Sequence, residues 1–262
     1  MQHLPHFVFD MPFFLRFVFD PQPALLQGLV STVLAAAVAQ LLGTVLGALL
    51  GLAGMHRALV LRVFNQAYIW FFRGTPVLVQ LVLIYFGLPY LVGFDLFPSV
   101  MAIGPVHFSG ALLAGIIAFG LHEAAYMSEI TRASVGSISP GQTEAALALG
   151  MTPALAMRRI VLPQAVPLIV PALGNQFNNM LKTTALLSVI GVSEMFRVAE
   201  QMQAATFMTF EVYLGVSVYY LILTGVWTFI QHGLEAWVSR GWANNKRRGA
   251  KAAKSPRPRA YG

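Results

Sequence analysis

Two constellations in this chain carry groups able to do chemistry. The first is Asn175, Gln176, Asn178, Asn179 and Lys182, set in an otherwise apolar stretch. Asn175, Asn178, Asn179 and Lys182 fall at i, i+3, i+4 and i+7, so a helix presents them on one face. Amides can hold an ammonium or a carboxylate, and Lys182 can meet a carboxylate, which together suit a small zwitterion. The competing reading is hydrogen bonding between helices, with Lys182 reaching out to the membrane surface. The second constellation is His122, Glu123, Tyr126 and Glu129, of which His122, Tyr126 and Glu129 form one stripe. Ionisable groups in apolar helices are costly and mark interior cavities, solute routes or helix contacts. Glu123 is read as route or helix contact, and Glu129 as a structural partner of Arg132. Covalent and metal chemistry find no footing. There are no cysteines, no histidines at metal-ligand spacing and no Gly-Lys pair for a phosphate loop. No catalytic residue, metal ligand or cofactor is expected on this chain.

The elements that must position these groups follow from composition. The 262 residues are 57% hydrophobic and 10% charged, against about 25% charged in a soluble domain. This is an all-α, polytopic membrane protein by expectation, because barrel-type alternation is absent and lipid leaves helices as the remaining solution. Five stretches lack Asp, Glu, Lys and Arg: 21–56, 74–94, 96–122, 160–181 and 212–234. Each suffices for a helical span; the third is expected to begin near Ser109, after the breakers Pro98, Gly104 and Pro105, and to run to about Thr131. Gly43, Gly47 and Gly51 make a flat helix face. Pro163, Pro167 and Pro171 bend the fourth span. Residues 1–23 hold two FVFD pieces and read as an interfacial segment or an unstructured leader, 24–241 as the membrane domain, and 242–262 as a basic disordered tail drawn to anionic lipid. Nucleic-acid binding is not expected. Of the seventeen basic residues, Arg57, Arg62 and Arg73, then Arg132, Arg158 and Arg159, then the tail all fall on one side of these spans. Arg16 and Arg197 are alone on the other, so the N-terminus is expected outside and the C-terminus in the cytoplasm.

One amphipathic stretch stands apart, SPGQTEAALALGMTPALAMRRIVLP at 139–163. Ser139, Pro140 and Gln142 predict a capped helix start, Gly150 a left-handed stop, and Thr152-Pro153 a second start, with Pro163 opening the next span. Glu144, Ala145, Ala146, Gly150, Ile160, Leu162 and Pro163 meet in full the spacing Glu-Ala-Ala, three residues, Gly, nine residues, Ile, one residue, Leu-Pro. That pattern resembles the signature of membrane (permease) subunits of ATP-binding-cassette importers. Arg73-Gly74-Thr75-Pro76, AAYMSEITR at 124–132, LPQA at 162–165 and LKTTALLSVIGVSEM at 181–195 resemble the polar amino-acid uptake branch, the histidine and glutamine permeases. Two departures from its phrases are Ala133-Ser134 after Arg132, and Lys182-Thr183-Thr184-Ala185 where an Asp and a Ser are usual.

The resemblance implies a translocation subunit in the bacterial inner membrane. It implies a coupling surface for separate ATPase subunits over Gly141, Glu144, Ala145, Ala146, Gly150, Arg158 and Arg159, with ATP and magnesium held on those subunits. It further implies a second permease subunit, identical or not, and an extracytoplasmic substrate-binding protein. The competing class is a self-sufficient secondary transporter or channel for small polar solutes, against which no inverted pair of halves is visible.

Overall fold

A computed structural model of the chain describes residues 9–103 and 106–253. The described residues are almost wholly helical. In chain order they form α1 (Met11–Phe19), α2 (Pro23–Gly54), α3 (Leu59–Gly74), α4 (Val77–Val92), a two-stranded antiparallel hairpin β1 (Met101–Ile103) and β2 (Val106–Phe108), α5 (Gly110–Gly136), α6 (Pro140–Ala148), α7 (Pro153–Ile190), α8 (Met195–Thr206) and α9 (Thr209–Ala253). Four stretches are long and apolar enough to cross a membrane, namely α2, α5, α7 and residues Thr209–Val238 of α9.

The second span of the sequence reading, 74–94, belongs to a broken pair of helices. Residues 57–73, expected as a loop, are mostly helix, and α3 and α4 meet at 104°. The break has a local cause. A residue before proline is pushed out of the helical region, and Thr75 lies at φ −114°, ψ 145° ahead of Pro76. Gln80 fastens the corner: its Nε2 donates to the Phe72 carbonyl at 2.8 Å and to Thr75 Oγ1 at 2.7 Å.

The core lies where α2 crosses α5. A Cβ on Gly43 would stand 2.5 Å from Glu123 Cβ, and one on Gly47 2.5 Å from Met127 Cβ. The glycine face is thus an internal seam, with the two backbones nearly touching. Ala35, Ala36, Ala39 and Phe119 extend the buried cluster, and Leu181 and Leu187 of α7 close it.

Two further expectations change. Pro163 does not open a new helix, since α7 runs through from Pro153. A π turn over Met157–Val161 precedes the proline, with Leu162 N–H donating to the Met157 carbonyl. Proline cannot donate to the carbonyl four residues back and its ring crowds that oxygen; the wider turn relieves both. The tail is helical as far as Ala253, in keeping with its alanine, lysine and arginine content; residues 254–262 lie outside the described ones, as do 1–8.

Over its described residues the N-terminal segment is a short helix, α1, packed against the start of α9. Asp10 caps α1 by accepting from Phe13 N–H at 2.9 Å, and its own N–H donates to Glu211 Oε1 at 2.9 Å. Phe17 is buried against Gly215, and Tyr219 donates its hydroxyl to the Val18 carbonyl at 2.7 Å. The helix is bolted to the first turns of α9.

Candidate functional site

The 139–163 stretch folds as a helix, a glycine turn and a second helix. Gly150 has φ +84°. Met151 N–H reaches back to the Ala146 carbonyl at 3.1 Å, and Gly150 N–H to Leu147 at 2.9 Å. That pair of bonds is the helix stop that a left-handed glycine makes possible. Thr152 caps the next helix by accepting from Leu155 N–H at 3.3 Å. Ser139 sits at the N-cap but makes no side-chain cap bond, and Gln142 does not close a capping box: its Oε1 accepts from Gln164 Nε2 at 3.3 Å, tying α6 to α7.

This turn decides what faces outward. Ala146 is 3% exposed and Ala156 is fully buried, so small residues are needed there. Gly141, Glu144, Ala145, Arg158 and Arg159 are exposed. Leu149 is 82% exposed, and Leu147 and Leu155 also stand clear. The result is a protruding knob with apolar flanks, one acid and two arginines.

The polar constellations meet only in part. Glu123 of α5, 3% exposed, accepts from Gln40 Nε2 of α2 at 3.0 Å and from Gln176 Nε2 of α7 at 3.2 Å. A cavity of about 170 Å³ opens beside it, lined by His122, Glu123, Tyr126, Gln176, Asn179 and Thr183. His122 Nδ1 lies 3.0 Å from Gln80 Oε1, which links the cavity to the α3–α4 corner. Beyond the cavity, Arg73 sits over the Tyr126 ring and pairs with Glu129, which also pairs with Arg132 at 3.5 Å. Arg73 is thus folded back onto α5.

The shared face of Asn175, Asn178, Asn179 and Lys182 divides between two neighbours. Asn179 enters the Glu123 cavity. Asn175 Oδ1 accepts from Gln231 at 3.5 Å, and Asn178 Nδ2 donates to Thr228 Oγ1 at 3.4 Å, so both serve contacts with α9. Lys182 lines a separate cavity near the other end of α7 and α9. The stripe 176, 179, 183 faces α5 while 175, 178, 182 faces α9, and a wheel drawn for one helix does not reveal which neighbour covers which stripe. Gln40 and Gln80 are residues that sequence reasoning left out of the site, and Gln176, named in the first constellation, was given no place on its shared face.

With loop and cavity in place, comparison with known proteins places the chain. The family described as "Binding-protein-dependent transport system inner membrane component" matches residues 43–240. The chain belongs to this family. Its membership makes it a transport subunit of the inner membrane and not itself a catalyst, and the self-sufficient carrier gives way. The match runs from within α2 to within α9 and includes the 139–163 knob. A probable amino-acid permease protein of Bacillus subtilis is 39% identical over 225 residues, 86% of this chain and 96% of that one. A probable amino-acid ABC transporter permease protein of Vibrio harveyi is 36% identical over 232 residues, 88% of this chain and 99% of the other. Among solved structures, an amino acid ABC transporter crystallised with histidines superposes with a TM-score of 0.74 at 34% identity, covering 87% of this chain and 99% of its own.

Proposed function

We propose that this subunit forms half of the pore of an ATP-driven importer for polar amino acids. The observation that carries the reading is the exposed knob at 140–160, held rigid by the Gly150 turn and the Gln142–Gln164 bond. Its bare leucines, Glu144, Arg158 and Arg159 suit docking to a separate ATPase, which holds ATP and magnesium. Coupling between chains needs a stiff contact that moves as one piece. The knob lies in the cytoplasm, the N-terminus outside, and a binding protein delivers solute to the outer ends of the spans. A second permease subunit completes the pore. The Glu123 cavity is the inner solute station, where Glu123 holds an ammonium and Asn179, Thr183 and Tyr126 supply neutral hydrogen bonds. The amino-acid class is supported by the names of the Bacillus and Vibrio relatives.

The test is a pull-down with a tagged ATPase. Gly150→Val forces a β-branched residue to positive φ, and Glu144→Lys reverses the knob's one acid. Both variants are expected in the membrane at normal level, with ATPase recovery reduced about tenfold, a loss of ~1.4 kcal/mol, and uptake abolished. Undiminished recovery with normal uptake would remove the docking role.

A further inference from the structure

A second cavity, of about 320 Å³, lies between the end of α7 and the starts of α8 and α9, lined by Lys182, Ala185, Phe196, Tyr213, Ser217 and Tyr220 among others. Its size falls at the lower end of the ~300–1,000 Å³ typical of small-molecule sites. Lys182 is about 28 Å along the helix from Pro163 at 1.5 Å per residue, so this cavity sits a membrane's thickness away from the knob.

Its hydrogen-bonding inventory is lopsided. Lys182 is exposed and forms no ion pair among the described residues. Tyr220 gives its proton to Glu194 at 3.4 Å, and Ser217 gives its own to the Tyr213 carbonyl at 2.7 Å. Glu194, the nearby acid, is turned inward, accepting from Phe196 and Arg197 N–H and from Thr32. The donors left for a ligand are the Lys182 ammonium and the Tyr213 hydroxyl. Both are anion-seeking, and among the described residues no carboxylate lines the cavity. The tilted, near-parallel rings of Phe196 and Tyr213, 5.8 Å apart, and the free lone pair of Ser217 offer a place for an ammonium.

We infer that this cavity is an outer binding station for the transported amino acid, with Lys182 and Tyr213 holding its α-carboxylate. The inference rests on the importer reading. It gives α7 two stations of opposite sign, because Lys182 and Thr183, neighbours in sequence, open into different cavities. A zwitterion is met first by its carboxylate at Lys182. It is then met by its ammonium at Glu123, about 9 Å deeper as counted from Lys182 to Gln176. An anionic lipid headgroup, or a second copy of the chain lying across the opening, are the occupants the experiment separates from this one.

The experiment uses the intact permease–ATPase complex without binding protein, in nanodiscs of neutral lipid and of lipid containing phosphatidylglycerol. The probe is an equimolar mixture of radiolabelled glutamine, arginine, histidine and glutamate, displaced by the unlabelled acids or by their α-carboxamides. Wild type is expected to bind and to prefer the acids. Lys182→Met should weaken binding about tenfold in both lipids and drive the acid-to-amide ratio toward one, in line with the ~1.5–3 kcal/mol of a hydrogen bond to a charged group. Tyr213→Phe should act in the same direction by about threefold, and Lys182→Arg should retain the preference. No binding by wild type, or an unchanged ratio in Lys182→Met, overturns the station. An effect confined to anionic lipid assigns Lys182 to a headgroup, and unchanged binding with altered dimer content assigns it to the second copy; both overturn it. ATP-driven uptake of the same mixture by the complete system, measured alongside, separates this failure from failure of the importer reading itself.

Discussion

Gly47 holds α2 and α5 at backbone contact, with Met127 Cβ where its own Cβ would be. Any side chain there must push two core helices apart, and overpacking of this kind costs about 1–3 kcal/mol or more. Gly47→Leu is expected to lower the melting temperature of the detergent-solubilised protein by several degrees. Gly136→Ala, where a Cβ meets nothing within 4 Å, should leave it unchanged. Residues whose role is local were legible in the sequence. The four-residue glycine spacing announced close approach, and Gly150 and Thr152 announced a stop and a start, because turn chemistry depends on immediate neighbours. The roles of Gln40, Gln80 and Gln176 were not legible, although Gln176 was named, since a glutamine in an apolar run acquires its meaning from a partner many residues away: Glu123 for Gln40 and Gln176, His122 for Gln80. Asn179 and Asn175 illustrate the same limit, sharing a face on paper and separate neighbours in space.

At the scale of elements, α8 hangs on one buried side chain. Glu194 caps it, accepting from Arg197 N–H at 2.6 Å and Phe196 N–H at 2.9 Å, and joins it to α2 through Thr32 and to α9 through Tyr220. Burial pushes its carboxyl up to about 7, while those hydrogen bonds pull the other way. A carboxyl whose folded pKa lies above its unfolded value gains a proton on folding. Its contribution to stability is complete below about 4.5 and is lost as pH rises through about 7. The melting temperature is therefore expected to fall between pH 5 and 8, and Glu194→Gln should flatten that slope; an equal slope in both proteins would refute the assignment. Helix existence was readable from hydropathy, because lipid imposes it. The α3–α4 corner was misplaced as a loop plus a span, since Pro76 marks a break without saying what lies before it. The run-through from α7 past Pro163 was hidden for the converse reason: proline reads as a boundary, and a π turn lets the helix pass.

For the whole molecule, the distribution of basic residues predicts an arrangement with the knob and the basic tail on the cytoplasmic side. A reporter active only in the cytoplasm should work when fused after Gly262 and fail when inserted near Val192, between α7 and α8. The reverse pattern would invert every assignment of inner and outer station. Beyond topology, the central claim is that this chain moves solute with energy drawn from another subunit. The most direct measurement is accumulation of radiolabelled polar amino acids in proteoliposomes holding the permease and its ATPase. The account predicts accumulation only when ATP and magnesium are on the ATPase side and the loaded binding protein is on the other, with none for the permease alone under any ion gradient. Accumulation by the permease alone, driven by a proton or sodium gradient, would contradict it.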